Sequence, residues 1–231
     1  MFVSIPTRRK PALRWATPLL FAALWLAFMW TMNRPDEARR VLWLSWGALG
    51  RGLGDDSTLW LEAFRDGSML RLFTALFLHV DWAHLLGNLI FLLIFGLPAE
   101  RVMGPWRFLL LFLIGGAVSN LAAALMIHAP DRVVIGASGA VSAVIGAYLA
   151  LFPRARLGIV LPLGLFLEFV RAPASLLIGA WALLQVVFAY IGPAFGAIAW
   201  SAHVAGFLFG MVYALFFRAA ITRRLRHQHE L

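Results

Sequence analysis

Four residues far apart in the chain have the types needed to hydrolyse an acyl bond: Ser138, His203, His84 and Asn88. A serine hydroxyl is a poor nucleophile near neutral pH and needs a base, which an imidazole supplies. His84 and Asn88 are four apart and share one helix face, where both can donate hydrogen bonds toward a common point. Such donors suit the negative oxygen of a tetrahedral intermediate. Ser138 sits in Val133-Val134-Ile135-Gly136-Ala137-Ser138-Gly139-Ala140-Val141. Taken alone, that small-residue stretch reads better as a packing face on a membrane helix. The partners decide between the two readings.

Those partners must be held by helices in a membrane. The 231-residue chain is 62% hydrophobic and 13% charged, with a mean hydropathy of +0.83. That composition is a polytopic membrane protein with no room for a separate soluble domain. The formal charge of +9 is spread in short basic clusters between apolar runs, a topology signal rather than a nucleic-acid surface. With no cysteine, thiol chemistry and disulfides are excluded.

A span needs about 20 apolar residues. Six segments qualify or nearly so: 16–32, 82–99, 108–128, 138–152, 173–191 and 199–217, with 33–81 a long outer loop. The basic N-terminus before Ala16 is similar to a signal peptide but is followed by no small-x-small cleavage site, so 16–32 is expected to be an uncleaved span. Val41 to Gly50 and Leu157 to Leu167 are too short to cross; the first is expected at the interface, the second interfacial or re-entrant. A break at Gly192-Pro193 divides the uncharged run from Ala172 to Phe217. Placing both termini in the cytoplasm leaves 13 Lys and Arg inside and 7 outside, as the positive-inside rule favours. The expected fold is all-α, one polytopic membrane domain over 1–231. No internal repeat suggests an inverted-repeat transporter.

Depth then brings the chemistry together. His84 lies 16 residues before Glu100, Ser138 lies 16 before Arg154, and His203 lies 15 before Arg218. At helical rise all three sit about 22–24 Å from the inner boundary. Polar groups inside a membrane are costly and usually face a cavity or one another. His203, Gly206 and Gly210 form one stripe on the sixth span, and the Gly206-x-x-x-Gly210 pair permits close backbone approach. That approach would set His203 against Ser138. No carboxylate lies in the membrane near His203, so the expectation is a dyad. From Ser138 to Arg154 there are too few residues to reach the outer surface as helix. Val133 to Ala137 must therefore descend into the membrane, where irregular backbone is tolerated only beside a wet cavity or under protein.

These residues resemble the rhomboid family of intramembrane serine proteases. Gly136-Ala137-Ser138-Gly139 is similar to its nucleophile motif, His79-x-x-x-x-His84-x-x-x-Asn88 to its second-helix signature, and Ala202-His203-x-x-Gly206-x-x-x-Gly210 to its base-bearing helix. Arg71 and Glu100-Arg101 also match family positions, and the likeness runs from about Asn33 to Phe217. The resemblance implies a rhomboid-like fold with a water-accessible site and cleavage of other proteins' transmembrane segments. Ser138 would be nucleophile and His203 base, with His84, Asn88 and the Ser138 amide holding the oxyanion and Gly136, Gly139, Gly206 and Gly210 shaping the site. Two positions depart: the aromatic usual four residues after the nucleophile is Ser142, and the tryptophan usual before the first-loop arginine is Leu70.

The resemblance implies no cofactor and no metal; the histidines carry no HExxH pattern or neighbouring carboxylate. Expected partners are transmembrane-segment substrates and the lipid bilayer, with no nucleic acid. The expected location is a bacterial inner membrane. His84 with Asn88 could instead form an interhelical clasp. Ser119, Asn120 and Gln185 are expected to satisfy interhelical hydrogen bonds, and His79 to serve the loop before the second span. The competing function is a non-catalytic relative that binds or escorts transmembrane segments.

Overall fold

The computed structural model describes residues 14–49, 65–126, 133–163, 166–191 and 200–230. Helix α1 (Ala16–Met32) has no side-chain cap from its own sequence. The Glu100 carboxylate caps it from a distance, accepting from the Ala16 and Thr17 amides at 2.9 Å each. Glu100 is fully buried, and its charge meets the positive end of the helix dipole. Helix α2 (Asp36–Trp46) enters from Pro35 with Asp36 and Glu37 in its first turn. It takes up much of the apolar piece expected at the interface. A two-residue strand β1 (Ala48–Leu49) follows. The short helical run α3 (Ser68–Phe77) is tied back to α2, with Arg71 donating to the Leu44 carbonyl and Thr74 to that of Trp46.

Helix α4 (Trp82–Met103) begins at an Asp81 cap whose carboxylate accepts from the His84 amide at 2.8 Å. Its middle, Leu92–Gly96, widens into a π-turn just before Pro98, which has no amide to give and would crowd a regular turn. The helix runs past the expected end at 99 and stops at Gly104, whose φ of +87° suits glycine. Helix α5 (Pro105–Met126) is apolar on all sides apart from Arg107, Ser119 and Asn120. Strand β2 (Val133–Val134) pairs antiparallel with β1, Ala48 opposite Val134. Helix α6 (Ser138–Leu151) comes next, then strands β3 (Arg156–Leu163) and β4 (Phe166–Pro173), then helices α7 (Ala174–Ile191), α8 (Trp200–Phe216) and α9 (Arg218–Glu230). Helix α9 bends away from α8 by 52°.

The segment expected to be re-entrant or interfacial is an antiparallel hairpin, in register from Arg156↔Pro173 to Leu163↔Phe166. Ile159, Val160, Phe169 and Val170 favour a strand, while Pro162 breaks a helix. With β1–β2, this corrects the all-α expectation to a mostly helical chain. The Gly192-Pro193 break lies outside the described residues. By length and composition α4 and α5 are long and apolar enough to cross a membrane, and α8 with α9 counts as a third if the bent pair is one span. Helices α1, α6 and α7 are shorter apolar helices.

Helix α6 is the centre of the packing: every residue from Gly139 to Tyr148 is buried. Its small side chains let α8 approach backbone to backbone and bring α5 into close side-chain contact. A Cβ at Gly146 would strike the Phe207 carbonyl, one at Gly210 the Ala143 carbonyl, and one at Gly206 both the Gly139 carbonyl and Ser119. The outside reverses the pattern of a water-soluble protein. Leu26, Ile90, Leu110, Leu183, Leu208 and Val212 are all exposed, an apolar surface suited to hydrocarbon.

Candidate active site

The loop before α6 is pinned from both sides. β2 pairs with β1, and the Gly136 amide donates to the Ala75 carbonyl at 2.9 Å. Gly136 has φ +117°, a conformation essentially reserved for glycine, and a Cβ there would collide with the His84 ring. This turn sets Ser138 at the first position of α6, where amides lack intrahelical acceptors.

Ser138 Oγ lies 2.8 Å from His203 Nε2, in hydrogen-bond contact. His203 stands in the first turns of α8, with the Trp200 ring edge-on at 5.9 Å. The glycine stripe below it seats α8 on α6: Gly206 meets Gly139, and Gly210 meets Ala143. On the far side of the imidazole, Nδ1 is 2.7 Å from Gln185 Oε1 of α7. Ser142, one turn beyond Ser138, bonds to the Ser138 carbonyl at 2.7 Å and leaves the imidazole alone.

His84, Asn88, Ser138, Gln185 and His203 line one cavity of about 280 Å³, with Gly87, Phe91, Val141, Ile145, Trp181 and Trp200 among its apolar walls. Asn88 is anchored by one contact, its Nδ2 standing 3.0 Å from His79 Nε2. The same His79 nitrogen accepts from the Ala137 amide at 3.4 Å. His79 is fully buried, and burial, reinforced by the neighbouring His84, pushes its imidazole down to about 3. It is therefore neutral near pH 7, and Nε2 can accept from both partners. His79 and His84 rings meet edge to face at 5.0 Å. Among the described residues no three His, Cys, Asp or Glu side chains form a group that could hold a metal.

All four residues singled out by type thus face one cavity, and the four glycines lie where backbone or ring comes closest. Two contacts were not legible at the outset. His79 joins Asn88 to the nucleophile loop, beyond a role in its own loop. Gln185 does make an interhelical bond, and its partner is the imidazole opposite Ser138. A signal for it existed: Gln185 is a carboxamide inside the uncharged run from Ala172 to Phe217, where a polar side chain needs a partner.

The Rhomboid domain model matches residues 66–220. The chain belongs to the rhomboid family. It is a mostly helical, multi-pass integral membrane protein. This rhomboid is 30% identical over 158 residues to RHOMBOID-like protein 5 of Arabidopsis thaliana, covering 61% of the chain and 51% of that protein. It is 36% identical over 84 residues to the putative rhomboid protease YdcA of Bacillus subtilis, covering 36% and 42%. With the rhomboid protease GluP of the same organism it shares 38% identity over 90 residues, covering 38% and 17%. The matched region of this rhomboid spans about half or less of the length of these relatives.

Proposed function

We propose that the chain is an intramembrane serine endopeptidase that cuts the transmembrane segments of other membrane proteins. It would act as one six-span unit with both termini cytoplasmic, in a bacterial inner membrane, without a cofactor. The observation that carries this reading is the 2.8 Å contact from Ser138 Oγ to His203 Nε2, in a cavity also lined by His84 and Asn88.

In the reaction, His203 Nε2 takes the Ser138 hydroxyl proton as Oγ bonds to the scissile carbonyl carbon. The carbonyl π pair moves onto oxygen, where the Ser138 amide, Asn88 and His84 donate to it. As the tetrahedral species collapses, the C–N bond breaks and His203 returns the proton to the leaving amine. Water, deprotonated by the same imidazole, then releases the acyl group from Ser138. Of the two amide hydrogens on Asn88, His79 holds one, which leaves the other for the oxyanion.

The test is cleavage of a model transmembrane substrate by the detergent-solubilised protein. Ser138→Ala and His203→Ala are expected to abolish it; cleavage by either at the parent rate would refute the dyad. Asn88→Ala removes one oxyanion donor and is expected to lose about 10²–10³ in kcat while keeping measurable activity. A protein that only binds or escorts transmembrane segments would leave Ser138 unlabelled by a serine-directed phosphonate. The protease reading requires labelling.

A further inference from the structure

We infer that Gln185 is the positioning residue for the base, completing a Ser138–His203–Gln185 chain of hydrogen bonds; this rests on the proteolytic reading above. Neutral imidazole carries one proton on one of two nitrogens, and only an unprotonated Nε2 can accept from Ser138. The proton must then reside on Nδ1 and needs a fixed acceptor, or tautomer and ring orientation drift. Serine hydrolases commonly meet this need with a carboxylate. Among the described residues the buried carboxylate, Glu100, is committed to the first amides of α1, and Asp81 is exposed and caps α4.

The acceptor present is an amide oxygen. Gln185 Oε1 stands 2.7 Å from Nδ1, opposite the nitrogen that meets Ser138. Of the two ends of a carboxamide, only the oxygen can face a protonated Nδ1. The burial of Gln185 fits a dedicated contact. It is 6% exposed, while Leu183, Leu184, Val186 and Val187 around it are 64%, 52%, 51% and 42% exposed. An amide turned inward from an otherwise lipid-suited stretch is costly unless paired, and its pairing is the base. The Ser142 hydroxyl donates to the Ser138 carbonyl, and the contact at Nδ1 is with Gln185.

When Nε2 takes the serine proton, the Nδ1–H to Oε1 bond becomes charge-assisted. Gln185 keeps its own atoms throughout, since an amide cannot remove the Nδ1 proton. It orients the ring and stabilises the imidazolium less than a carboxylate would. Because the amide comes from α7 while base and nucleophile come from α8 and α6, the three side chains align only when α7 is docked.

The experiment compares parent, Gln185→Met and Gln185→Glu for kcat, KM and the pH profile of kcat/KM on a model transmembrane substrate. The His203 tautomer is read separately by nitrogen NMR. Among the described residues the other titratable group facing this cavity is His84, present in all three proteins, so differences between them report on position 185. Gln185→Met keeps the length and loses the acceptor; kcat is expected to fall about tenfold or more, part of the ~10²–10⁴ a positioned base supplies, with KM nearly unchanged. Gln185→Glu is expected to retain activity and to move the acid limb to higher pH, because a carboxylate favours the imidazolium. A residue that only packs would leave kcat and the acid limb untouched while changing thermal stability. Parental kcat in a folded Met variant overturns the inference, as does an unshifted acid limb in a folded Glu variant. The NMR arm separates this failure from failure of the protease reading. An Nδ1–H tautomer in the parent that becomes mixed in Gln185→Met supports the role of Gln185 even if no substrate is cut; an unchanged tautomer sinks it.

Discussion

His79 shows how one side chain can serve the site without lining its reacting groups. Its Nε2 gathers the Asn88 amide and the Ala137 backbone amide, linking the second-helix donors to the residue before the nucleophile. That geometry requires a neutral ring, which burial enforces by holding the folded pKa at about 3 against an ordinary 6.5. Below pH 6.5 the unfolded chain binds a proton that the folded chain refuses. The stability tied to His79 is thus complete above pH 6.5 and is lost progressively as pH falls toward 3. His79→Gln keeps an acceptor near the Nε2 position and cannot titrate. Its melting temperature in detergent is expected to fall less steeply than the parent's between pH 7 and pH 4; parallel slopes would show that His79 does not titrate across folding. The meeting of Ser138 and His203 was readable from depth and the glycine stripe. The partners of His79 and Gln185 were not, because a polar side chain in an apolar run announces a need for a hydrogen bond without saying who fills it.

Among the elements, α6 is the one the others are fitted around, and small residues do the fitting. Gly210 lies against the Ala143 carbonyl, so any side chain there must push α8 off α6. Overpacking of this kind typically costs about 1–3 kcal/mol. Gly210→Val is expected to lower the melting temperature and to reduce activity further by moving His203 away from Ser138. Gly179 of α7 is the matched control: it is exposed and a Cβ there meets nothing within 4 Å. Gly179→Ala is expected to be neutral or to gain about 0.5–1 kcal/mol from helix propensity. Equal melting temperatures for Gly210→Val and the parent would remove the close-packing account of α8. Helix positions were legible because apolar run length carries them, and α1, α6 and α7 begin within a residue or so of where hydropathy sets them. The β3–β4 hairpin was not. A continuous apolar run has no period to distinguish strand from helix, and Pro162 argues against a helix without naming the alternative.

For the whole molecule, the chemistry constrains orientation as well as fold. Ser138 begins α6 some 20 Å of helix from its other end at Leu151, so the site lies nearer the membrane face that the loop before α6 reaches. The balance of 13 basic residues against 7 assigns that face to the outside in the proposed six-span topology. The absence of cysteine makes this directly measurable, because a single introduced thiol has no background. In intact cells or sealed right-side-out vesicles, Ser57→Cys in the first loop is expected to react with a membrane-impermeant maleimide. Gln228→Cys in the C-terminal tail is expected to react only after permeabilisation. Retained Ser138-dependent activity in each variant is the control that the labelled protein is folded. Reaction of both thiols from the same side would overturn the topology, and with it the placement of the cavity toward the outer face. Protection of Ser57→Cys with free reaction of Gln228→Cys would invert the protein, and the substrate bond would then have to lie near the inner face.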